Sequence, residues 1–276
     1  YLMIASVLVP TIIGEVRSGA FDSPHASAFN GLNLSVLNAN LLGTVDVQQG
    51  FYDAVDRLNP DVITLQELNP VVAKNLLERV GHRYSCQQLL PKVGTYGMGV
   101  LARFPCGVNG RPNSLEGIGV SQIVDLRVTD SQQIALLNMH TIAPHTPLRY
   151  QPSDNEFQQL ANAVVERERF VTSLLEVADS RTTDATILAG DLNATTRNRV
   201  YKIIRDLGFS DAWSVGDRLH GGTWPSPGVP LPSWLVRIDY IFHSKGLFPK
   251  TAETLPEGYG SDHRGVFATF ALAPKN

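Results

Sequence analysis

The chain has 276 residues, 43% of them hydrophobic, which is enough to bury a substantial core and excludes a disordered or fibrous protein. With 23 basic against 26 acidic residues the formal net charge is −3, so no global positive field marks nucleic acid or an anionic membrane as the partner. Charge does not exclude such partners either: screening limits distant charges to about 8–10 Å, and a metal ion with a few local cations can hold one phosphodiester.

The sequence opens on Tyr1 rather than Met, and residues 1–13 (YLMIASVLVPTII) are almost wholly apolar. This run is shorter than the about 20 residues a membrane-spanning helix needs, and Pro10 interrupts it. Two readings stand: the tail of a membrane anchor or signal segment with something upstream removed, or a first core strand or extra helix packed on the domain. Residues 17–31, rich in Ser, Gly, Ala and Asn, read as a linker. The expectation is therefore an apolar N-terminal segment with its linker over 1–31 and one domain over 32–273.

Residues 34–40 read as a buried strand, and 46–58 as a helix with Val47, Phe51, Val55 and Leu58 on one face. A β-branched strand at 61–66 stops at Glu67, and a second helix over 69–80 carries Pro70 in its first turn. Strands at 83–90, 97–104, 121–128 and 133–140, separated by turn residues, have the rhythm of a mainly antiparallel sheet. A long helix follows, in which Phe157, Leu160, Ala161, Val164, Val171, Leu174, Leu175 and Ala178 keep helical spacing and Ser153 with Glu156 offers a capping box. The apolar strand 185–189 delivers Gly190, Asp191, Leu192 and Asn193 to its end. A helix over 196–207 comes next, and 237–243 and 266–272 make the last strands. The Gly- and Pro-rich run 221–232 is a surface loop suited to carrying specificity. These elements specify an α+β domain: a four-layer α/β/β/α sandwich of two packed, mainly antiparallel sheets flanked by helices.

Cys86 and Cys106 are too few for a disulfide framework and lack zinc-site spacing. The favoured reading is a pair of unbonded thiols; because the two flank what reads as a hairpin, a single disulfide in an oxidising compartment stays open.

Chemistry-bearing side chains recur where apolar runs stop, and a strand end is where a scaffold presents a group rigidly. Glu67 closes DVITLQE, His140 closes QIALLNMH, Asp191 and Asn193 follow ATILAG, Asp239 lies in VRIDYIF, and Ser261, Asp262 and His263 precede VFATF. Asp and Asn after a strand are also favoured turn residues, and a lone His is more often structural. Asp239 argues otherwise, since a buried carboxylate without a partner costs several kcal/mol.

In order and spacing, NAN at 38–40, QE at 66–67, ARFP at 102–105, MH at 139–140, GDLN at 190–193, RIDYIF at 237–242 and SDH at 261–263 resemble the endonuclease/exonuclease/phosphatase superfamily. That is the fold of deoxyribonuclease I, abasic-site endonucleases, neutral sphingomyelinases and inositol-polyphosphate 5-phosphatases. The resemblance covers about 33–272. It implies hydrolysis of a phosphoester by metal-activated water, without a covalent enzyme intermediate. Such chemistry needs charge stabilised on the phosphoryl and leaving oxygens, and hard oxygen ligands select Mg²⁺, with Mn²⁺ as the alternative. By the same resemblance the metal ligands are Glu67, the amide oxygen of Asn38, and Asp262. Asp191 orients or deprotonates the water, Asn193 donates to a phosphoryl oxygen, and His140 and His263 contact the phosphate. Asp239 fixes one of the two histidines. Asn40, Arg103, His145 and Arg149 are substrate-binding candidates; Arg197, Arg264 and Trp224 are further groove candidates. His25, His82, His220 and His243 read as ordinary.

Leu37 stands where many members have an aromatic residue, and Asn40 occupies a second acidic position, removing a negative charge near the metal. Both weigh against a strict abasic-site endonuclease. His140, in place of that branch's tyrosine, resembles the deoxyribonuclease I and sphingomyelinase branches. The leading expectation is a nuclease-like or general phosphodiesterase acting on nucleic acid or a lipid phosphate. The runner-up is a lipid-headgroup or prenyl-pyrophosphate enzyme at a membrane, suited to the apolar N-terminal run and to 228–236 (GVPLPSWLV). A catalytically silent binding module is the rival from another class, and it predicts decay of the site. No protein partner is inferred. The N-terminal run and resembling proteins with a membrane segment before this domain favour an exported or membrane-anchored domain outside the cytoplasm.

Overall fold

The computed structural model describes residues 31–107, 113–115, 117–141, 154–215, 221–225 and 232–275. The apolar run 1–13, the linker residues through Asn30, His25, His145, Arg149, Ser153, His220 and the loop residues 226–231 lie outside the described residues.

The elements follow in chain order. They are β1 (Leu32–Asn40), α1 (Gln49–Leu58), β2 (Val62–Gln66), α2 (Pro70–Val80), β3 (Cys86–Leu90), β4 (Met98–Ala102), β5 (Cys106–Gly107), β6 (Asn113–Leu115) and β7 (Gly119–Arg127). After them come β8 (Gln133–Thr141), α3 (Asp154–Asp179), β9 (Ala185–Asp191), α4 (Arg199–Asp206), β10 (Ser210–Asp211), β11 (Asp239–His243), β12 (Leu247–Thr254) and β13 (Val266–Leu272). The first sheet has strand order β12-β13-β1-β2-β4-β3, and the second β10-β11-β9-β8-β7-β5 with β6 on β7. Each sheet holds one parallel pair, β1 with β2 and β8 with β9, each joined across a helix; every other pair is antiparallel.

Period-two alternation sorts the side chains into three apolar layers. Leu34, Val36, Val62, Val100, Leu136, Ile187, Ile241 and Phe270 fill the space between the sheets. Leu37, Ile63 and Leu65 face Phe51 and Val55 of α1 and Leu76 of α2. Leu137, Leu188 and Phe242 face Val171, Leu174 and Leu175 of α3. The result is the expected four-layer sandwich. Among the described residues no helix is long and apolar enough to cross a membrane.

Several boundaries differ from the sequence-based expectation for local reasons. The helix expected from 46 starts at Gln49, because the Gln48 N–H is tied to the Tyr259 carbonyl at 2.8 Å with Gln48 extended. It ends at Asn59 in the left-handed conformation. Helix α4 starts at Arg199 instead of 196, since the Asn198 side chain accepts from the Thr195 N–H at 2.7 Å and closes a turn there. Strand β12 was not anticipated at all. Pro249 and a register shift between Pro249 and Thr251 break its alternation, which is tolerated because β12 is the edge of its sheet. Strands β5, β6 and β10 are too short to leave a periodic signal.

Cys86 and Cys106 form a disulfide, which corrects the favoured reading of free thiols. Their Cα atoms are 5.4 Å apart, and the bond joins edge strand β3 of the first sheet to edge strand β5 of the second. Sequence periodicity could not foresee this, because the apposition depends on how the two sheets stack.

Candidate active site

Strands β1, β2, β8 and β9 all stop at one end of the sandwich, where β4, β7, β11 and β13 begin. The inward-facing positions of β1, β2, β8 and β9 are apolar at the other end and turn polar toward this one. Asn38 and Asn40 follow Val36, Thr64 and Gln66 follow Val62, Asn138 and His140 follow Leu136, and Asp191 follows Ala189. The first sheet and its loops contribute Asn40, Glu67, Asp262 and His263; the second contributes His140, Asp191, Asn193 and Asp239.

Glu67 sits one residue past β2 at φ 53°, a left-handed backbone that a non-glycine residue adopts at some cost. Its carboxylate accepts from the Asn40 side chain at 3.2 Å and from the Gly43 N–H at 3.1 Å. Asp191 is fully buried. It accepts from the same Asn40 amide nitrogen at 3.0 Å, from the Asn193 side chain at 3.0 Å and from the Asn193 N–H at 2.8 Å. His140 Nδ1 meets the Thr95 carbonyl at 3.0 Å, so that nitrogen carries the proton. Its Nε2 lies 3.7 Å from Glu67 and 3.6 Å from Asp191. His263 Nδ1 lies 2.9 Å from Asp239 Oδ2, and its Nε2 lies 3.8 Å from Asp191 and 3.9 Å from Asp262.

Burial pushes the Asp191 carboxyl up to about 6, against the pull of the His263 and His140 rings. Burial alone would push the His263 ring down, but the carboxylates of Asp239 and Asp191 outweigh it and hold its pKa at about 10. His263 is therefore an imidazolium at neutral pH, caged by carboxylates.

Several expected roles change. Asn38 Oδ1 accepts from Thr64 at 2.9 Å and Gln66 at 2.8 Å, so the amide oxygen proposed as a metal ligand is already engaged. Asn40 is buried, and its amide nitrogen bridges Glu67 and Asp191 instead of reaching substrate. Asn193 donates to Asp191 and to the Thr141 carbonyl at 2.8 Å, which engages both amide hydrogens meant for a phosphoryl oxygen. Arg103 follows β4 at the opposite end of the sheet, 3.6 Å from Asp61 and bonded to Asn59. Arg264 is buried, bonds the carbonyls of Leu255 and Gly222, and lies over the Trp234 ring at 4.7 Å, so it braces loops instead of lining a groove. Asp262, with a side chain 33% exposed, stands at the rim, where Trp224 Nε1 donates to it at 3.2 Å. Arg197 is exposed just past the Asp191 loop.

Three supporting residues escaped the sequence reading. Thr223 Oγ1 accepts from the N–H groups of Ile238 and Asp239 at 3.1 and 3.2 Å, fixing the start of β11; it left no signal inside a Gly-rich loop. The Thr95 carbonyl is a backbone group, invisible to any residue pattern. Buried Arg167 donates to the Asn193 carbonyl at 3.3 Å, and burial pulls its pKa below the ordinary arginine value. Arg167 did leave a signal: it shares the helical spacing of Val164, Val171 and Leu174, a charge on an apolar stripe.

Two donor groups suit a cation. Asp191, Asp239 and His263, all buried, offer ligand atoms within 4.8 Å of one another. In that group the His263 Nδ1 proton already occupies one Asp239 oxygen, Oδ2. Glu67 and Asp191 instead lean on one amide nitrogen with no Lys or Arg paired to either among the described residues, an oxygen-rich pair that fits a hard divalent cation.

The profile described as Endonuclease/Exonuclease/phosphatase family matches residues 30–263. Three solved structures share the fold. An endonuclease/exonuclease/phosphatase from Beutenbergia cavernae has TM-score 0.64 and 18% identity over 87% of this chain and 72% of its own. A family protein from Bacteroides thetaiotaomicron has TM-score 0.66 and 16% identity over 89% and 100%. D. rerio TDP2 complexed with single strand DNA product has TM-score 0.62 and 19% identity over 87% and 99%. No curated protein sequence matches the chain.

Proposed function

This chain belongs to the endonuclease/exonuclease/phosphatase family, and from that membership we propose that it hydrolyses a phosphodiester with the help of Mg²⁺ or Mn²⁺. The observation that carries the reading is the convergence of Glu67, His140, Asp191 and His263 from two sheets at one end of the sandwich, with His263 held cationic. Asp191, with its carboxyl near 6, is matched to orient a water and take its proton near neutral pH. His263 supplies fixed positive charge to phosphoryl oxygens or a proton to the leaving oxygen, and Asp239 keeps its ring aligned. His140 presents Nε2 between Glu67 and Asp191, while Asn193 and Asn40 hold the Asp191 carboxylate in place. Glu67 would hold the cation, with Asp191 beside it and Asp262 at the rim; when bound, the ion supplies Lewis-acid charge.

Nucleic acid is the substrate class we favour, because a solved structure of the same fold, D. rerio TDP2, is complexed with single strand DNA product. An exported domain is part of the same proposal, supported by the Cys86–Cys106 disulfide, which suits an oxidising compartment. The test is a panel of single-stranded and duplex DNA, RNA, sphingomyelin, a prenyl pyrophosphate and bis-p-nitrophenyl phosphate, with and without EDTA. Hydrolysis of DNA that EDTA, Glu67→Ala and His263→Ala each abolish supports the reading. Preference for sphingomyelin or the pyrophosphate moves the substrate to lipid phosphates, and activity that survives both substitutions overturns the site.

A further inference from the structure

Beneath the site runs a chain of fully buried amides with a single allowed direction. Asn138, on β8 two residues before His140, donates through its side-chain nitrogen to the carbonyls of Leu65 and Gly99, both at 3.0 Å on the opposite sheet. Carbonyls only accept, so the Asn138 amide cannot be turned over, and its oxygen must face Gln66. Gln66 Nε2 donates to that oxygen at 2.7 Å and to Asn38 Oδ1 at 2.8 Å, while Thr64 Oγ1 donates to the same Asn38 oxygen at 2.9 Å. The orientation of Asn38 is thus dictated from the facing sheet, through Gln66 and Asn138. Two buried atoms of the relay are left without a partner among the described residues, the Gln66 side-chain oxygen and, at the end, the Asn38 side-chain N–H₂.

The three amides lie directly behind the reacting groups: Asn38 is two residues before Asn40 on the same face of β1, Gln66 precedes Glu67, and Asn138 lies two residues before His140. The Gln66–Asn138 bond also ties the half-site of the first sheet to that of the second. We propose that Asn138 and Gln66 are positioning residues that set the two half-sites against each other, with Asn38 acting as an N–H donor at the end of the relay and not as a cation ligand. A buried amide donor stripped of water and left unpaired is costly, so the site tolerates it only if an oxygen acceptor, such as bound water, completes it in the working enzyme. The inference rests on the phosphoesterase reading for its kinetic arm alone.

The experiment pairs Mn²⁺ affinity, measured by electron paramagnetic resonance, with kcat and KM on bis-p-nitrophenyl phosphate. The variants are Asn38→Leu, Asn138→Leu and Asn138→Ser, the last leaving room for water if Asn138→Leu fails to fold. Asn38→Leu keeps the size of the side chain and removes the amide oxygen and the N–H together without adding charge, so an oxygen that bound the cation would be lost with it. The expected result is a Mn²⁺ Kd within about threefold of wild type, a kcat lower by about tenfold to a hundredfold, and a KM little changed. The Asn138 variants should show the same kcat loss with a native circular dichroism spectrum. A Mn²⁺ Kd weakened more than about tenfold by Asn38→Leu would make Asn38 a ligand and overturn the proposal, as would wild-type kcat in either folded Asn138 variant. If wild type hydrolyses nothing, the phosphoesterase reading fails while the Mn²⁺ series still judges Asn38.

Discussion

The two ends of the same interlayer space are built on opposite principles. At the end away from the site, carboxylates are closed off by neighbouring donors. Asp61 accepts from the Ser35 N–H at 2.9 Å and its hydroxyl at 2.7 Å, Asp184 accepts from the Gln133 N–H at 2.8 Å and pairs with Lys275 at 2.8 Å, and the Cys86–Cys106 bond joins the sheet edges. At the site end, carboxylates crowd together, His263 is caged as a cation, and Asn38 Nδ2, Gln66 Oε1 and Asp239 Oδ1 are buried without partners among the described residues. At one end the carboxylates are paired by neighbouring donors, while at the other carboxylates crowd together beside buried donors and acceptors that a ligand or water would complete.

The contrast is broken most severely at Asp191. Asp191→Asn should lower kcat/KM by about a thousandfold while leaving the urea midpoint unchanged or higher, because it removes a carboxylate that burial disfavours. A fall in stability above about 2 kcal/mol would show that this end is structural after all.

The next largest effect is on pH. The His263 pKa is raised from 6.5 to about 10 on folding, so in metal-free protein its contribution to stability is fully present below pH 6.5. That contribution is lost progressively as the pH rises through 10, since the unfolded chain releases the proton first. Urea unfolding across this window should therefore show declining stability, and Asp239→Asn should flatten the decline. An equal slope in the variant would remove Asp239 as the cause.

The smallest expected effect sharpens the comparison from the other end. Replacing both cysteines by alanine opens a loop spanning 20 residues of sequence separation and should cost about 3 kcal/mol in urea unfolding with kcat unchanged. A matching loss of kcat would mean that the two ends are mechanically coupled.

The sequence alone determined the four-layer class, most of the strands and helices, and the cluster of strand-end residues led by Glu67, His140, Asp191, Asp239 and His263. These were legible because period-two and helical spacing are local, and because a carboxylate where an apolar run stops is conspicuous in any register. Tertiary structure decided the rest. It paired Cys86 with Cys106 across sheets, sent Arg103 to the far end, made Arg264 a brace, recruited Arg167 from a helix, and engaged the Asn38 oxygen with Thr64 and Gln66. Those outcomes depend on donors and acceptors brought in from distant strands, as Asn138 is to Gln66 across 72 residues of sequence. An amide or a guanidinium can serve as ligand, brace or relay, and only the partner facing it in the packed sheets selects which.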